Sequence, residues 1–292
     1  MPVSPNKQAK PRSFSLKRYL DRSVKQVNAA LNKHLPKALA KPKTLHESMR
    51  YSMLAGGKRL RPILCMAAAE ACGGRPGASL IHDDLPGMDN DDLRRGKPTN
   101  HVVYGEGIAV LAGDALLTLA FELVNQAKPT RRYRQNDFVG ELARTAGHAQ
   151  LIAGQVADLE GEGKLVSRAQ LRYIHERKTS ALLTCSVRLG GMSANATPPQ
   201  LHALTDFGYH VGLAFQVIDD ILDVTQSSEQ LGKTAGKDEA VLKATYPSVV
   251  GLAKSQKIAA GLTAKAYAAL KPFKGQAVAL EALADYLLKR DH

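Results

Sequence analysis

The sequence predicts an all-α protein on three observations. Apolar residues recur at helical spacing through most of the 292 residues. No stretch alternates apolar and polar residues as a half-buried strand does. Turn-forming residues fall between the periodic segments.

The first helix is carried by Leu16, Leu20, Val24, Val27 and Leu31. Comparable periodicity runs through 45–71, 108–124, 138–159, 171–189 and 201–224. The breaks "KPKT", "GGRPG", "ANATPPQ" and "KPFKGQ" punctuate the chain. No linker divides it, so residues 16–292 read as one domain behind a polar tail, residues 1–15, that carries Lys7, Lys10 and Arg12 and no acid. A frayed end is the expected state of that tail, with a relic of a targeting segment as the alternative.

With 44% hydrophobic and 23% charged residues the composition is that of a soluble globular protein. Cys65, Cys72 and Cys185 are odd in number and lack metal-ligand spacing, which excludes a disulfide framework and a zinc site and leaves core residues in a reducing compartment. The longest apolar stretch, 108–124, contains Asp114 and Glu122 and is shorter than the roughly 20 apolar residues of a membrane span, so a buried helix is expected there. A net charge of +13 raises a nucleic-acid reading, but the basic residues are dispersed, Trp is absent and no stacking motif accompanies them. Anionic small substrates account for the charge as well.

Against that basic background stand two acidic clusters, "DDLPGMD" at 83–89 and "DDILD" at 219–223. Carboxylates this dense repel one another and need a cation between them. Magnesium takes oxygen ligands and binds through a few carboxylates together with substrate phosphates. Asp219 and Asp223 lie at i and i+4 on one helical face with Asp220 one step round. In the first cluster Pro86 and Gly87 loosen the chain so that Asp89 returns toward Asp83 and Asp84. His82, beside the pair, reads as a hydrogen-bonded core residue.

The basic motifs complete a phosphate site. "GGKRLRP" sets Lys58 and Arg61 at i and i+3, with glycines that allow close backbone approach, and it is not a Walker motif. In "DDLRRGKP", Arg94 and Arg95 offer planar forks to phosphate oxygens. Lys178 and Thr179 follow, then Gln216 one turn before Asp219, then Lys233 in "LGKTAGKD".

Taken in order, "GGKRLRP", "SLIHDDLPGMDNDDLRRGKPTNH", "LAGDALL", Gly154-Gln155, Lys178-Thr179, "FQVIDDILD" and "LGKTAGKD" resemble the short-chain trans-prenyl diphosphate synthases of the farnesyl and geranylgeranyl type, from about residue 16 to the C-terminus. The resemblance implies an isoprenoid synthase fold, a helical bundle around a deep cavity, and a cytoplasmic homodimer, or a plastid enzyme if the tail is a targeting relic. It further implies three magnesium ions held by Asp83, Asp84, Asp89, Asp219, Asp220 and Asp223. Arg94, Lys178, Thr179, Gln216, Lys233 and Lys243 would contact the allylic diphosphate, and Lys58, Arg61 and Arg95 isopentenyl diphosphate. Neither a nucleic acid nor stable membrane insertion belongs to this picture.

The residues five and four places before the first aspartate, Ala78 and Ser79, set the cavity floor in that family. Both are small, which favours a geranylgeranyl over a farnesyl product. A terpene cyclase and a non-catalytic regulatory subunit are the competing readings; the first need not keep "GGKRLRP" and the second usually loses one aspartate motif. One departure stands out. Only five residues separate Gly77 from Asp83, so roughly four turns of the expected helix are missing near 77–78. Because every other motif is intact, an omission of residues is the expected cause rather than a true loss; a Cα separation of about 3.8 Å across the junction would establish a real bond.

Overall fold

The computed structural model describes residues 14–74, 93–94, 97–225 and 244–288. The Gly77 to Ala78 junction, Ser79, His82, Asp83, Asp84, Asp89, Arg95, Lys233 and Lys243 lie outside the described residues, as does the tail up to residue 13.

Helix α1 (Leu16–His34) buries Tyr19, Ser23, Val27 and Leu31, one residue per turn, against the bundle. The expected 45–71 segment is two helices, α2 (Lys43–Leu54) and α3 (Leu60–Ala71). Gly56 and Gly57 between them sit at φ of 96° and 123°, a region closed to a continuing helix. Helix α3 is buried almost all round, from Pro62 to Ala69 and at Ala71, and Pro62 is tolerated because it falls in the first turn, where an N–H lacks a helical partner.

Next come two short strands, β1 (Leu93–Arg94) and β2 (Lys97–Pro98), paired antiparallel with Leu93 opposite Pro98, a feature too short to leave a period in the sequence. Helices α4 (Asn100–Tyr104) and α5 (Glu106–Asn125) follow. The 138–159 segment also divides, into α6 (Gln135–Ala146) and α7 (Leu151–Gly161), because Gly147 and Gln150 leave helical dihedrals. Helix α8 (Arg168–His175) passes through a π-turn (Glu176–Ser180) into α9 (Ala181–Ser193). Helix α10 (Pro198–Thr225), 28 residues and about 42 Å long, is the spine. Three C-terminal helices, α11 (Tyr246–Val250), α12 (Leu252–Leu270) and α13 (Val278–Leu288), close the bundle.

The main core joins α3, α9, α10, α12 and α13 through Ile63, Leu64, Val187, Leu204, Phe207, Val211, Ala266, Leu280 and Leu283, each at most 1% exposed. A fully buried Val, Leu, Ile or Phe side chain contributes about 1.5–3 kcal/mol, so this seam dominates the packing. A second cluster seats α5 and α6 on α9 through Ala120, Phe138, Leu142 and Leu189.

The buried helix expected at 108–124 is corrected: only 28% of the apolar window of α5 is buried, and Val110 and Leu111 are more than half exposed. Periodicity reports where apolar residues stand, not what covers them. The cysteines behave as core residues. Cys65 and Cys185 are buried, and burial pushes the Cys185 thiol up to about 12 and Cys72 to about 11, out of reach of thiolate chemistry at neutral pH.

Candidate active site

The second half of α10 carries Gln216, Asp219, Asp220 and Asp223, with Asp220 4% and Asp223 8% exposed. Burying a carboxylate demands partners. Asp220 has them on both oxygens: Gln216 Nε2 donates to Oδ1 at 3.1 Å, and the Tyr246 backbone N–H of α11 donates to Oδ2 at 2.9 Å. His175 Nε2 lies 3.8 Å from the same Oδ2, and its ring packs on that of Tyr246 at 5.4 Å between centroids. Thr179 Oγ1 donates to Gln216 Oε1 at 2.9 Å, so one chain of hydrogen bonds runs from the π-turn through Gln216 to Asp220.

The π-turn makes this possible. Inserted residues of this kind recur at functional sites because they redirect neighbouring side chains. Here consecutive residues serve two helices: Lys178 Nζ donates to Asp158 Oδ2 of α7 at 2.6 Å, while Thr179 faces α10. Glycines let both helices approach. A Cβ on Gly154 of α7 would lie 2.3 Å from the Lys178 backbone nitrogen, and one on Gly212 of α10 would lie 2.6 Å from the Ser180 Cα. Just before Lys178, Glu176 accepts from Tyr209 Oη and from Arg172 Nε at 2.8 Å. Burial works against its charge, but these hydrogen bonds outweigh it and hold the Glu176 carboxyl below its ordinary 4.5.

At the turn before α3, Lys58 is exposed, with Nζ 5.7 Å from the centroid of the Tyr286 ring, and Arg61 is half-buried at the start of α3. The polar face of α2 holds the segment that follows β1. Asn100 Nδ2 donates to Ser48 O at 3.0 Å and Ser52 Oγ at 2.6 Å, Ser48 Oγ donates to Asn100 Oδ1 at 2.8 Å, and Tyr51 Oη donates to Pro98 O at 2.7 Å. The backbone of Arg94 is thereby placed one residue pair from Pro98, with Lys97 opposite it.

The structure thus brings Lys178, Thr179, Gln216 and Asp220 into one connected wall. Three participants escaped the sequence reading: Asp158, His175 and Tyr246. Asp158 had a signal, since it follows Gly154-Gln155 by a helical turn on the same element; Tyr246 had none, because a backbone N–H contributes the contact. As a metal centre the second cluster is incomplete by itself. Among the described residues no three His, Cys, Asp or Glu side chains converge as a cation site. The donor set nonetheless suits a hard cation, being all carboxylate, with Asp219 and Asp223 stacked at i and i+4.

Comparison with known proteins follows the same lines. The polyprenyl synthetase family model matches residues 42–283. A chloroplastic geranylgeranyl pyrophosphate synthase of Capsicum annuum is 49% identical over 296 residues, covering 96% of this chain and 80% of that protein. A chloroplastic heterodimeric geranylgeranyl pyrophosphate synthase large subunit 1 of Arabidopsis thaliana is 47% identical, covering 98% and 82%. Among solved structures, a geranylgeranyl pyrophosphate synthetase from Pyrococcus horikoshii superposes with a TM-score of 0.83 at 28% identity, covering 94% of this chain and 98% of that one. The 296 positions aligned with the Capsicum protein take in 96% of 292 residues, about 280, so on the order of 16 positions of that relative have no counterpart here.

Proposed function

The chain belongs to the polyprenyl synthetase family, and we propose that it is a trans-prenyltransferase that condenses isopentenyl diphosphate with allylic diphosphates to make geranylgeranyl diphosphate, farnesyl diphosphate being the alternative product. The observation that supports this reading is the hydrogen-bonded chain from Thr179 through Gln216 to Asp220 of the "DDILD" cluster, with Lys178, the residue before Thr179, bound to Asp158.

Asp219 and Asp223, with Asp83, Asp84 and Asp89 from the first cluster, would hold magnesium, three ions by the family resemblance. Asp220 would join them with the lone pairs that Gln216 and Tyr246 leave to it. Bound there, magnesium would neutralise the departing diphosphate. Lys178 and Thr179, together with Arg94, Gln216, Lys233 and Lys243, would orient the allylic diphosphate, and Lys58, Arg61 and Arg95 the isopentenyl diphosphate. The allylic C–O bond breaks with its electron pair leaving on diphosphate, the isopentenyl double bond forms the new C–C bond, and a proton is lost to restore a double bond. Positioning and charge stabilisation supply the catalysis, and no protein nucleophile is required.

Ala78 and Ser79 would set the floor that limits product length, and the shortfall against the Capsicum relative would fall just before them. The test is a product-length assay with isopentenyl and dimethylallyl diphosphates. A twenty-carbon main product that shortens in Ala78→Tyr supports the reading, and no magnesium-dependent condensation at all would end it.

For assembly, the open apolar face of α5 around Val110 and Leu111 suits a second copy of this chain, so a homodimer is proposed. The Arabidopsis relative, named as a heterodimer's large subunit, makes an unlike partner the alternative. A monomeric mass in sedimentation would remove the homodimer. The chloroplastic descriptions of the relatives favour the plastid over the cytoplasmic location. A non-catalytic subunit is disfavoured by the presence of both aspartate clusters.

A further inference from the structure

The run "GGKRLRP" carries three cations, Lys58, Arg61 and, between them, Arg59. Its geometry differs from theirs. Arg59 is in the left-handed region, φ 52° and ψ 34°, where a residue with a Cβ is held only by its surroundings. Its carbonyl accepts from Ile63 N at 3.1 Å and so opens the hydrogen-bond ladder of α3. Its side chain is half-buried and runs to two other helices: Nε donates to Asn28 Oδ1 of α1 at 3.2 Å, and Nη2 donates to the Met53 carbonyl in the last turn of α2 at 2.6 Å. A guanidinium suits that end of a helix, where carbonyls lack partners and the dipole is negative. Lys58, the residue before, is exposed.

We propose that Arg59 is a positioning residue for the isopentenyl diphosphate site: clamped to Asn28 and Met53, it fixes the turn between α2 and α3 so that Lys58 and Arg61 present their charges together, and it makes no contact with the diphosphate itself. This rests on the assignment of Lys58 and Arg61 under the proposed function. Glycines at 56 and 57 alone would leave the turn many conformations, and the clamp selects one. Because the ordering is done before the ligand arrives, its loss appears as weakened binding of one substrate only.

The test is calorimetric titration of the full chain with isopentenyl diphosphate, beside steady-state kinetics for both substrates, in Asn28→Ala, Asn28→Asp, Arg59→Gln and the double variant Asn28→Ala/Arg59→Gln. Removing one hydrogen bond of the clamp in Asn28→Ala is expected to raise the Kd for isopentenyl diphosphate about 3–10-fold, with the allylic KM unchanged. Asn28→Asp, which keeps an acceptor for the guanidinium, is expected to bind as wild type does. Arg59→Gln weakens binding further, and the double variant is no weaker than Arg59→Gln, because both changes break one clamp. Wild-type affinity in Asn28→Ala, or additive losses in the double variant, would overturn the proposal. Should Arg59→Gln fail to fold, the two Asn28 variants decide. A wild type that binds isopentenyl diphosphate without condensing it sinks the enzymatic reading while the Asn28 arms still judge Arg59; a wild type that does not bind it sinks both.

Discussion

In the wall formed by α7, the π-turn and α10, Lys178, Thr179, Gln216 and Asp220 are each hydrogen-bonded to another protein group. In the turn that opens α3, Gly56, Gly57 and Arg59 are at positive φ, the ordering contacts are those of the Arg59 side chain with Asn28 and Met53, and Lys58 is left exposed. The contrast follows from burial. A carboxylate that is 4% exposed, as Asp220 is, must be paired when the protein folds, whereas an exposed ammonium can wait in water for its ligand. Under the proposed function the wall would meet the allylic diphosphate, which gains charge as its C–O bond breaks, and the turn the charge that isopentenyl diphosphate brings and keeps. Variants in the wall should act on kcat and on stability together, and variants in the turn on one KM.

The largest expected effect is the removal of a proposed metal ligand. Asp219→Ala should lower kcat by at least about 100-fold, the scale of losing one electrostatic stabiliser in a transition state, with a smaller change in thermal stability than a variant of the buried Asp220, because Asp219 is only half-buried. Quenched product assays over a magnesium titration check it. A kcat within tenfold of wild type would place the metal elsewhere and dissolve the contrast between wall and turn.

Gly154→Ala tests whether packing holds the wall in place. A helical glycine in the open gains roughly 0.5–1 kcal/mol when replaced by alanine. Gly154 is not in the open, since the new Cβ would lie 2.3 Å from the Lys178 backbone nitrogen, and backbone cannot swing aside as a side-chain tip can. Overpacking of this kind costs about 1–3 kcal/mol, so the sign reverses: Tm should fall by several degrees and kcat should fall with it as Lys178 is displaced. A stabilised Gly154→Ala with unchanged kcat would show that the π-turn is loosely held.

How much of this was legible in the sequence differs between the two regions for the same physical reason. "DDILD", Lys178-Thr179 and Gln216 could be read because charges at helical spacing inside apolar helices are uncommon and their i, i+3 and i, i+4 relations survive folding unchanged. The links that hold them, Asp158 to Lys178 and Tyr246 to Asp220, span 20 and 26 residues, so that even where Asp158 itself could be noticed beside Gly154-Gln155 its pairing with Lys178 could not be read from helical spacing. The π-turn was invisible because an all-polar run, Glu176–Ser180, offers no apolar position against which a change of helical period could be counted. Both divided helices were missed at a glycine, Gly56 or Gly147, that helical periodicity absorbed. Arg59 drew no reading at all, since a basic run looks alike whether each cation faces a ligand or a helix end.

The smallest effect sharpens the comparison at the edge of the wall. Glu176 leads into the π-turn and is held in its charged form by Tyr209 and Arg172, with Arg177 Nη1 3.8 Å away. Its folded pKa is lowered, so in the acid range the unfolded chain binds its proton first. The stability that Glu176 supplies is therefore fully present above its ordinary 4.5 and is lost as pH falls through the lower folded value. Glu176→Gln carries no such proton linkage. Near neutral pH the variant should melt lower than wild type, and the gap should close as the pH is taken below 4.5, measured by paired thermal melts at fixed ionic strength. Because Lys178 lies two residues on and is tied to Asp158 on a different helix, kcat at neutral pH should change less than twofold in Glu176→Gln. A larger loss would mean that the wall reaches back to the end of α8, and that its order comes from the Glu176 network as much as from the close contacts at Gly154 and Gly212.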